Sequence, residues 1–322
     1  MLRSETPDRA AKYRVNTVSA LFAQIEAVPR LGELLALTSG LVWAVSVILF
    51  RVIGRTVHPL ALNLFKNIFA GWLVILTMTA WGLPLLPKLH AADYGLFLLS
   101  GIIGIGISDT LFLKSLNILG ASRTAIVDCL YSPFVIGLSF LFLAESMTAS
   151  QIFGVILIIS AVLTVTRNGG DERQTRRNLV FGVVLGALAM LTVAAGIVMV
   201  KPALARVPFL WAVLFRLLGG AGSLGIFLSF HPRRRTILAP LFQMKNWKAL
   251  VPASFFGGYL SLIFWMGGMK LAFASVAAAL NQLNTIFIVI LAAVFLKEKV
   301  TAVRVVAIAV AFIGAYLASH PF

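Results

Sequence analysis

Residues 121–149, ASRTAIVDCLYSPFVIGLSFLFLAESMTA, fall without a gap on residues 274–302, ASVAAALNQLNTIFIVILAAVFLKEKVTA, at an offset of 153. Ala121 meets Ala274, Ser122 meets Ser275, Leu130 meets Leu283 and Phe134 meets Phe287. Phe142, Leu143, Glu145 and Thr148 likewise meet Phe295, Leu296, Glu298 and Thr301. Apolar composition alone would align some Leu and Ala, but not Glu and Thr in register. The register carries back to Ser108 and Ser261, and a second match, at offset 150, lays Leu64-Phe65-Lys66 on Leu214-Phe215-Arg216. The chain is an internal duplication.

Each copy consists of apolar runs long enough to cross a bilayer, for which about 20 residues of helix suffice. The first holds candidates near 32–50, 59–81, 94–115, 121–143 and 149–166; the second near 179–200, 207–230, 249–271, 274–296 and 302–319. Between them lies the polar linker 167–178, RNGGDERQTRRN. The expected fold is an all-α membrane protein of ten transmembrane helices. Its units are a tail (1–31), a first five-helix repeat (32–166), the linker and a second repeat (179–322). Five is odd, so the second copy enters the membrane with opposite orientation. Inverted repeats around a central cavity are a common architecture of secondary transporters. They offer two nearly equivalent conformations, one open to each side, as alternating access requires.

The composition agrees. Of 322 residues, 60% are hydrophobic and 12% charged, which excludes both a soluble domain and a disordered chain. The single cysteine, Cys129, excludes a disulfide scaffold. A net charge of +16 would suit nucleic acid if it formed a basic stripe, but the basic residues sit between apolar runs. Assigned to the nearest connection, 16 Lys and Arg fall on the odd-numbered connections and 4 on the even ones. The positive-inside rule places the odd connections in the cytoplasm, whereas the basic tail argues the other way. In that tail Val18, Leu21, Phe22, Ile25 and Val28 recur at helical spacing, suiting either an interfacial helix or a disordered arm.

Polar groups inside spans are costly and usually face protein or a wet cavity. Asp128, Tyr131 and Ser132 stand at i, i+3 and i+4 in the fourth span, and the second copy offers Asn281, Asn284 and Thr285 on the matching face. Ser108 and Asp109 precede the turn at Gly120 by about as many residues as Asp128 follows it, which puts the two carboxylates at similar depth. Tyr259, Ser261 and Trp265 add an aromatic and hydroxyl-bearing face. Helices three, four, eight and nine are therefore expected to line a substrate pathway through Ser108, Asp109, Asp128, Tyr131, Ser132, Tyr259, Ser261, Trp265, Asn281 and Asn284, with Trp43 and Ser46 as further candidates. The competing reading of these residues is interhelical hydrogen bonding. Lys66 and Arg216 are candidate charge sites: they contact a substrate anion, snorkel, or pair with Asp109 or Asp128. A desolvated carboxylate at Asp128 or Asp109 would suit proton coupling, and facilitated exchange suits the sequence equally.

Two five-helix repeats, each closing on a pattern like A-S-x-x-x-A…F-L-x-E-x-x-T with a basic residue early in the second helix, resemble the drug/metabolite transporter superfamily. The likeness is to its EamA-type members, the bacterial metabolite and amino-acid exporters of the YddG kind. It covers about 32–319. Asp109 and Asp128 inside the first repeat depart from the pattern. The resemblance implies export of small metabolites, foremost amino acids, from a bacterial inner membrane. Purines or cationic drugs are alternative substrates, and a non-transporting receptor or scaffold is the alternative class.

Thr148 with Gln151 fits a capping box, and Thr301 is placed as a cap. Gly182 with Gly186, and the cluster Gly219, Gly220 and Gly222, read as close helix packing. Glu145 and Glu298, just before new helices, read as caps or ion-pair partners. The four histidines, His58, His90, His231 and His320, lie near helix ends, and no HExxH, GxSxG or Walker A motif occurs. No enzymatic activity, cofactor or metal is expected. The expected partners are a small-molecule substrate and the lipid bilayer, with no nucleic acid and a monomer sufficient.

Overall fold

The computed structural model describes residues 30–143, 147–167, 175–204, 206–271, 280–281 and 283–319. The tail and Glu145 lie outside these. Within them every regular element is helical. The main helices are α1 (Leu31–Ile53), α2 (Pro59–Ala80), α3 (Ala91–Leu119), α4 (Ala121–Phe142), α5 (Ala149–Arg167), α6 (Arg176–Leu204), α7 (Phe209–Phe230), α8 (Met244–Leu271), α9 (Asn284–Phe295) and α10 (Ala302–Ser319); a short helix, Arg234–Leu238, and a 3-10 turn, Ala239–Phe242, lie between α7 and α8. Among the described residues, α1 to α8 are the eight helices long and apolar enough to cross a membrane, and α9 and α10 are shorter apolar helices. α3 and α8 outrun the expected 94–115 and 249–271, and α6 begins at Arg176, inside the expected linker.

The duplication is visible in backbone geometry. α3 runs as Ala91–Gly101, a π-helical stretch Ile102–Ile107, then Ser108–Leu119. α8 runs as Met244–Ser254, a π stretch Phe255–Leu260, then Ser261–Leu271. Up to the start of the final segment, each boundary is displaced by the same 153 residues as the sequence match. α2 and α7 are both 22 residues long, displaced by 150. π turns mis-seat backbone carbonyls. In α3, Asn63 of α2 supplies the donors, its Nδ2 lying 3.0 Å from the Ile105 carbonyl and 3.1 Å from that of Gly106.

Helix pairing exchanges the halves. α1 packs on α8 and α9 as α6 packs on α3 and α4, while α2 meets α7 and α5 meets α10. Small residues and serines make the approaches close. Ser100, Ser108 and Ser115 of α3 donate to the carbonyls of Gly196, Ala189 and Gly182 of α6 at 2.6, 2.8 and 2.8 Å. Ser39 of α1 donates to the Ser261 carbonyl of α8 at 3.0 Å. Gly182 and Gly186 pack as the sequence suggests, against Leu119 and Val127.

The expected caps form. Thr148 and Gln151 bond reciprocally, Thr148 N to Gln151 Oε1 at 3.0 Å and Gln151 N to Thr148 Oγ1 at 3.4 Å. At the α1–α2 connection, His58 Nδ1 accepts from Leu60 N at 3.3 Å. Burial, with Lys114 and His231 nearby, pulls its imidazole below the usual range and favours the neutral form that can accept.

Glu298 caps a helix of the other repeat. It accepts from Ala121 N at 2.9 Å, Ser122 N at 3.0 Å and Ser122 Oγ at 2.7 Å, at the start of α4. The preceding Gly120 has φ +85°, and a Cβ there would lie 2.9 Å from Glu298 Oε1, so both conformation and space demand glycine. An anion on exposed helix N–H groups is stabilised by hydrogen bonds and by the helix dipole. Glu298→Ala is expected to cost about 1–2 kcal/mol, the usual loss of an N-terminal cap. Thermal unfolding in detergent measures it, and an unchanged midpoint contradicts the capping role.

Candidate functional site

A cavity of about 150 Å³ sits between the two halves. Its wall draws on α1 (Ser39, Trp43), α2 (Lys66, Asn67), α3 (Gly104, Ile105, Ser108, Asp109, Phe112) and α4 (Asp128, Tyr131). From the second half come Met190 and Val193 of α6, Arg216 and Leu217 of α7, Gly257, Gly258, Ser261, Leu262 and Trp265 of α8, Asn281, and Asn284 of α9. The pair α5 and α10 contributes nothing to it.

The charges are arranged asymmetrically. Lys66 forms an ion pair with Asp109 across α2 and α3. The repeat equivalent of Lys66 is Arg216, buried at 1% exposure, but the equivalent of Asp109 is Leu262. No carboxylate pairs with Arg216 among the described residues. Its Nη1 donates to Met266 Sδ at 3.6 Å, its guanidinium lies 5.8 Å from the Trp265 ring centroid, and its Nε has no partner.

Acceptors complete the wall. Asp128, Tyr131, Asn284 and Arg216 all border the same space. Asn67 donates through Nδ2 to Asn63 Oδ1 at 3.1 Å, leaving its own Oδ1 buried without a partner among the described residues. Trp43 stands 5.5 Å from Phe112, centroid to centroid, as an aromatic side to the space. The cavity thus holds an unpaired cation, a carboxylate and an orphan acceptor. It can receive a molecule carrying both an anionic group and N–H donors.

The structure brings together Ser108, Asp109, Asp128, Tyr131, Ser261, Trp265, Asn281 and Asn284, along with Lys66, Arg216 and Trp43. Ser108 and Ser261 spend their hydroxyls on helix contacts: Ser108 donates to Ala189, and Ser261 Oγ lies 3.4 Å from Ser39 Oγ. Three candidates fall elsewhere. Tyr259 points away, its hydroxyl 2.6 Å from Thr77 Oγ1 on α2. Residues two apart on a helix face different ways, which separates Tyr259 from Ser261. Ser132 is buried outside the cavity because α4 breaks at Cys129–Leu130, ending the i, i+4 relation to Asp128. Ser46 is buried beneath Gly257, donating to the Trp43 carbonyl at 2.7 Å.

Asn67 is the important residue missed. Asn63, Lys66 and Asn67 stand at i, i+3 and i+4 in an apolar span, a polar face by the same spacing that picked out Asp128. Ser39, Gly104, Phe112, Met190, Val193, Gly257 and Gly258 carry no comparable signal.

Two halves of matched, apolar helices enclosing a charge-bearing cavity define an integral membrane protein that carries small molecules. The chain belongs to the EamA-like transporter family, whose family model matches residues 30–167 and 180–320, one match to each repeat. A solved crystal structure, described only as that of a protein, is 18% identical and shares the fold with a TM-score of 0.66, over 89% of this chain and 96% of the other. No curated protein matches the sequence.

Proposed function

We propose that the protein crosses a bacterial inner membrane ten times, as two inverted five-helix repeats, and exports amino acids by alternating access without ATP. The observation that carries the substrate class is the buried guanidinium of Arg216, unpaired in a cavity that also holds Asp128 and the free acceptor of Asn67. An α-carboxylate would satisfy Arg216, with an ammonium at Asp128 and Asn67 Oδ1. The faces of Trp43, Phe112 and Trp265 would take an apolar side chain. A cationic drug would meet Asp128 but be repelled by Arg216, and this is why the zwitterion is favoured over the amine.

Counterflow tests the reading. Purified protein in liposomes preloaded with an unlabelled amino acid is expected to accumulate the labelled one. The corresponding amine, lacking the carboxylate, and the methyl ester are expected to fail. Purines and cationic drugs are run beside them. Accumulation of those but of no amino acid overturns the substrate class, and no flux of any compound overturns transport.

A further inference from the structure

A second binding feature lies on the outside of the bundle. Leu218, Ile226 and Phe230 of α7, exposed at 42%, 66% and 85%, form one wall of an open groove of about 740 Å³. Leu98 and Ile102 of α3 form the other wall, and Gly219 and Gly222 the floor. The two glycines do different things. A Cβ on Gly219 would lie 2.2 Å from the Leu98 carbonyl, so that glycine is a helix contact. A Cβ on Gly222 would meet nothing within 4 Å, so there the missing side chain leaves a hollow.

The groove ends at His231 and Pro232, and the chain continues as Arg233-Arg234-Arg235. All three arginines are exposed, and none joins an ion pair among the described residues. Arg234 turns back over the last turn of α7, its Nη1 donating to the Ser229 carbonyl at 2.5 Å. No acidic residue occurs from His231 to Lys248, and Lys245 and Lys248 add to the same charge. From Gly219 to His231 the helix rises about 18 Å, close to the roughly 15 Å of hydrocarbon in one leaflet.

We infer that this groove binds an anionic phospholipid, one acyl chain lying along Gly219 to Phe230 and its phosphate held by Arg233, Arg234 and Arg235. A neutral lipid would fill the groove and leave the arginines without a counter-charge. A free phosphate would meet the arginines and leave the groove to other chains. Only a molecule with an acyl chain joined to an anionic head satisfies both. The site is independent of the transport cavity, which opens between the halves and shares none of these residues.

The full-length protein is equilibrated in mixed micelles of equal dioleoylphosphatidylglycerol and dioleoylphosphatidylcholine, and retained lipid is counted by native mass spectrometry. Phosphatidylglycerol is expected to be retained over phosphatidylcholine by at least about five-fold, the effect of one cation near a membrane surface. The triple variant R233Q/R234Q/R235Q is expected to lose that preference yet still retain lipid. Gly222→Leu, which the hollow accommodates, is expected to reduce retention of both lipids with an unchanged melting temperature. Equal retention of the two lipids by the wild type overturns the inference. So does unaltered retention in Gly222→Leu, or displacement by millimolar sn-glycerol 3-phosphate, which would mark a phosphate site without a chain.

Discussion

Arg216→Met is expected to leave the protein folded, with a melting temperature at or above that of the wild type, while amino-acid counterflow falls by at least about a hundred-fold. A buried charge without a partner is unfavourable to the fold, and replacing such groups by apolar side chains of similar volume is often neutral or stabilising. Methionine keeps much of the packing against Met266 and Trp265. On the proposed function, what it removes is the donor for a substrate anion, and a buried charged hydrogen bond is worth a few kcal/mol to binding, hence the hundred-fold estimate.

The repeat-related residue is expected to behave in the opposite way. Lys66→Met strands the Asp109 carboxylate in the cavity wall, and breaking a buried pair from one side costs about 3–5 kcal/mol. The double variant K66M/D109L, which copies the arrangement at Leu262, is expected to recover most of that stability. Melting temperatures and counterflow measured on the same preparations decide the matter. If Arg216→Met unfolds the protein while Lys66→Met does not, the roles assigned to the two cations are reversed.

Gly101→Ala is expected to be the most damaging single methyl group among the described glycines. Gly101 ends the first part of α3, and a Cβ there would lie 2.0 Å from the Arg216 carbonyl oxygen. The clash is with backbone, which cannot rotate aside, so α7 must shift and carry the guanidinium with it. Overpacking usually costs about 1–3 kcal/mol, and a backbone clash this close belongs at the top of that range or beyond it. Loss of folded protein on size exclusion, or a melting temperature lowered by many degrees, is the expected result. Gly222→Ala, on α7 itself and facing open space, is the matched control and is expected to melt as the wild type. Equal behaviour of the two variants contradicts the close approach of α3 and α7.

How much of this could be read beforehand depended on whether the signal was local. The duplication was legible because Glu298 and Thr301 are polar in an apolar setting, and chance does not align such residues with Glu145 and Thr148. The capping box at Thr148 was legible because its two partners are three residues apart. Asp128 and Tyr131 were legible because their spacing survives the break in α4, whereas Ser132, one residue later, does not reach the cavity. Tyr259 was misplaced because it was grouped with Ser261, two residues on, although positions two apart on a helix face different ways. The pairing of Lys66 with Asp109 was one of several open readings. Nothing local says which carboxylate a lysine 43 positions away will meet, because the answer depends on how α2 crosses α3.

Gly222 shows the limit from the other side. In sequence it belongs with Gly219 and Gly220, and all three suggest helix contact. Gly219 touches Leu98 and Gly220 touches Ile105, whereas Gly222 faces a hollow. A glycine that admits a neighbour and one that leaves space are identical letters.

The ion pair present in one half and absent from the other has a kinetic consequence. Exchanging the halves does not return this molecule to itself, so for an alternating carrier the two end states differ in energy and one is the resting posture. Half-saturation concentrations measured from the two faces of the membrane should then be unequal. For passive exchange the maximal rates must differ by the same ratio, so that net movement ceases when concentrations match. In K66M/D109L, where both halves lack the acid, the two half-saturation values should draw together.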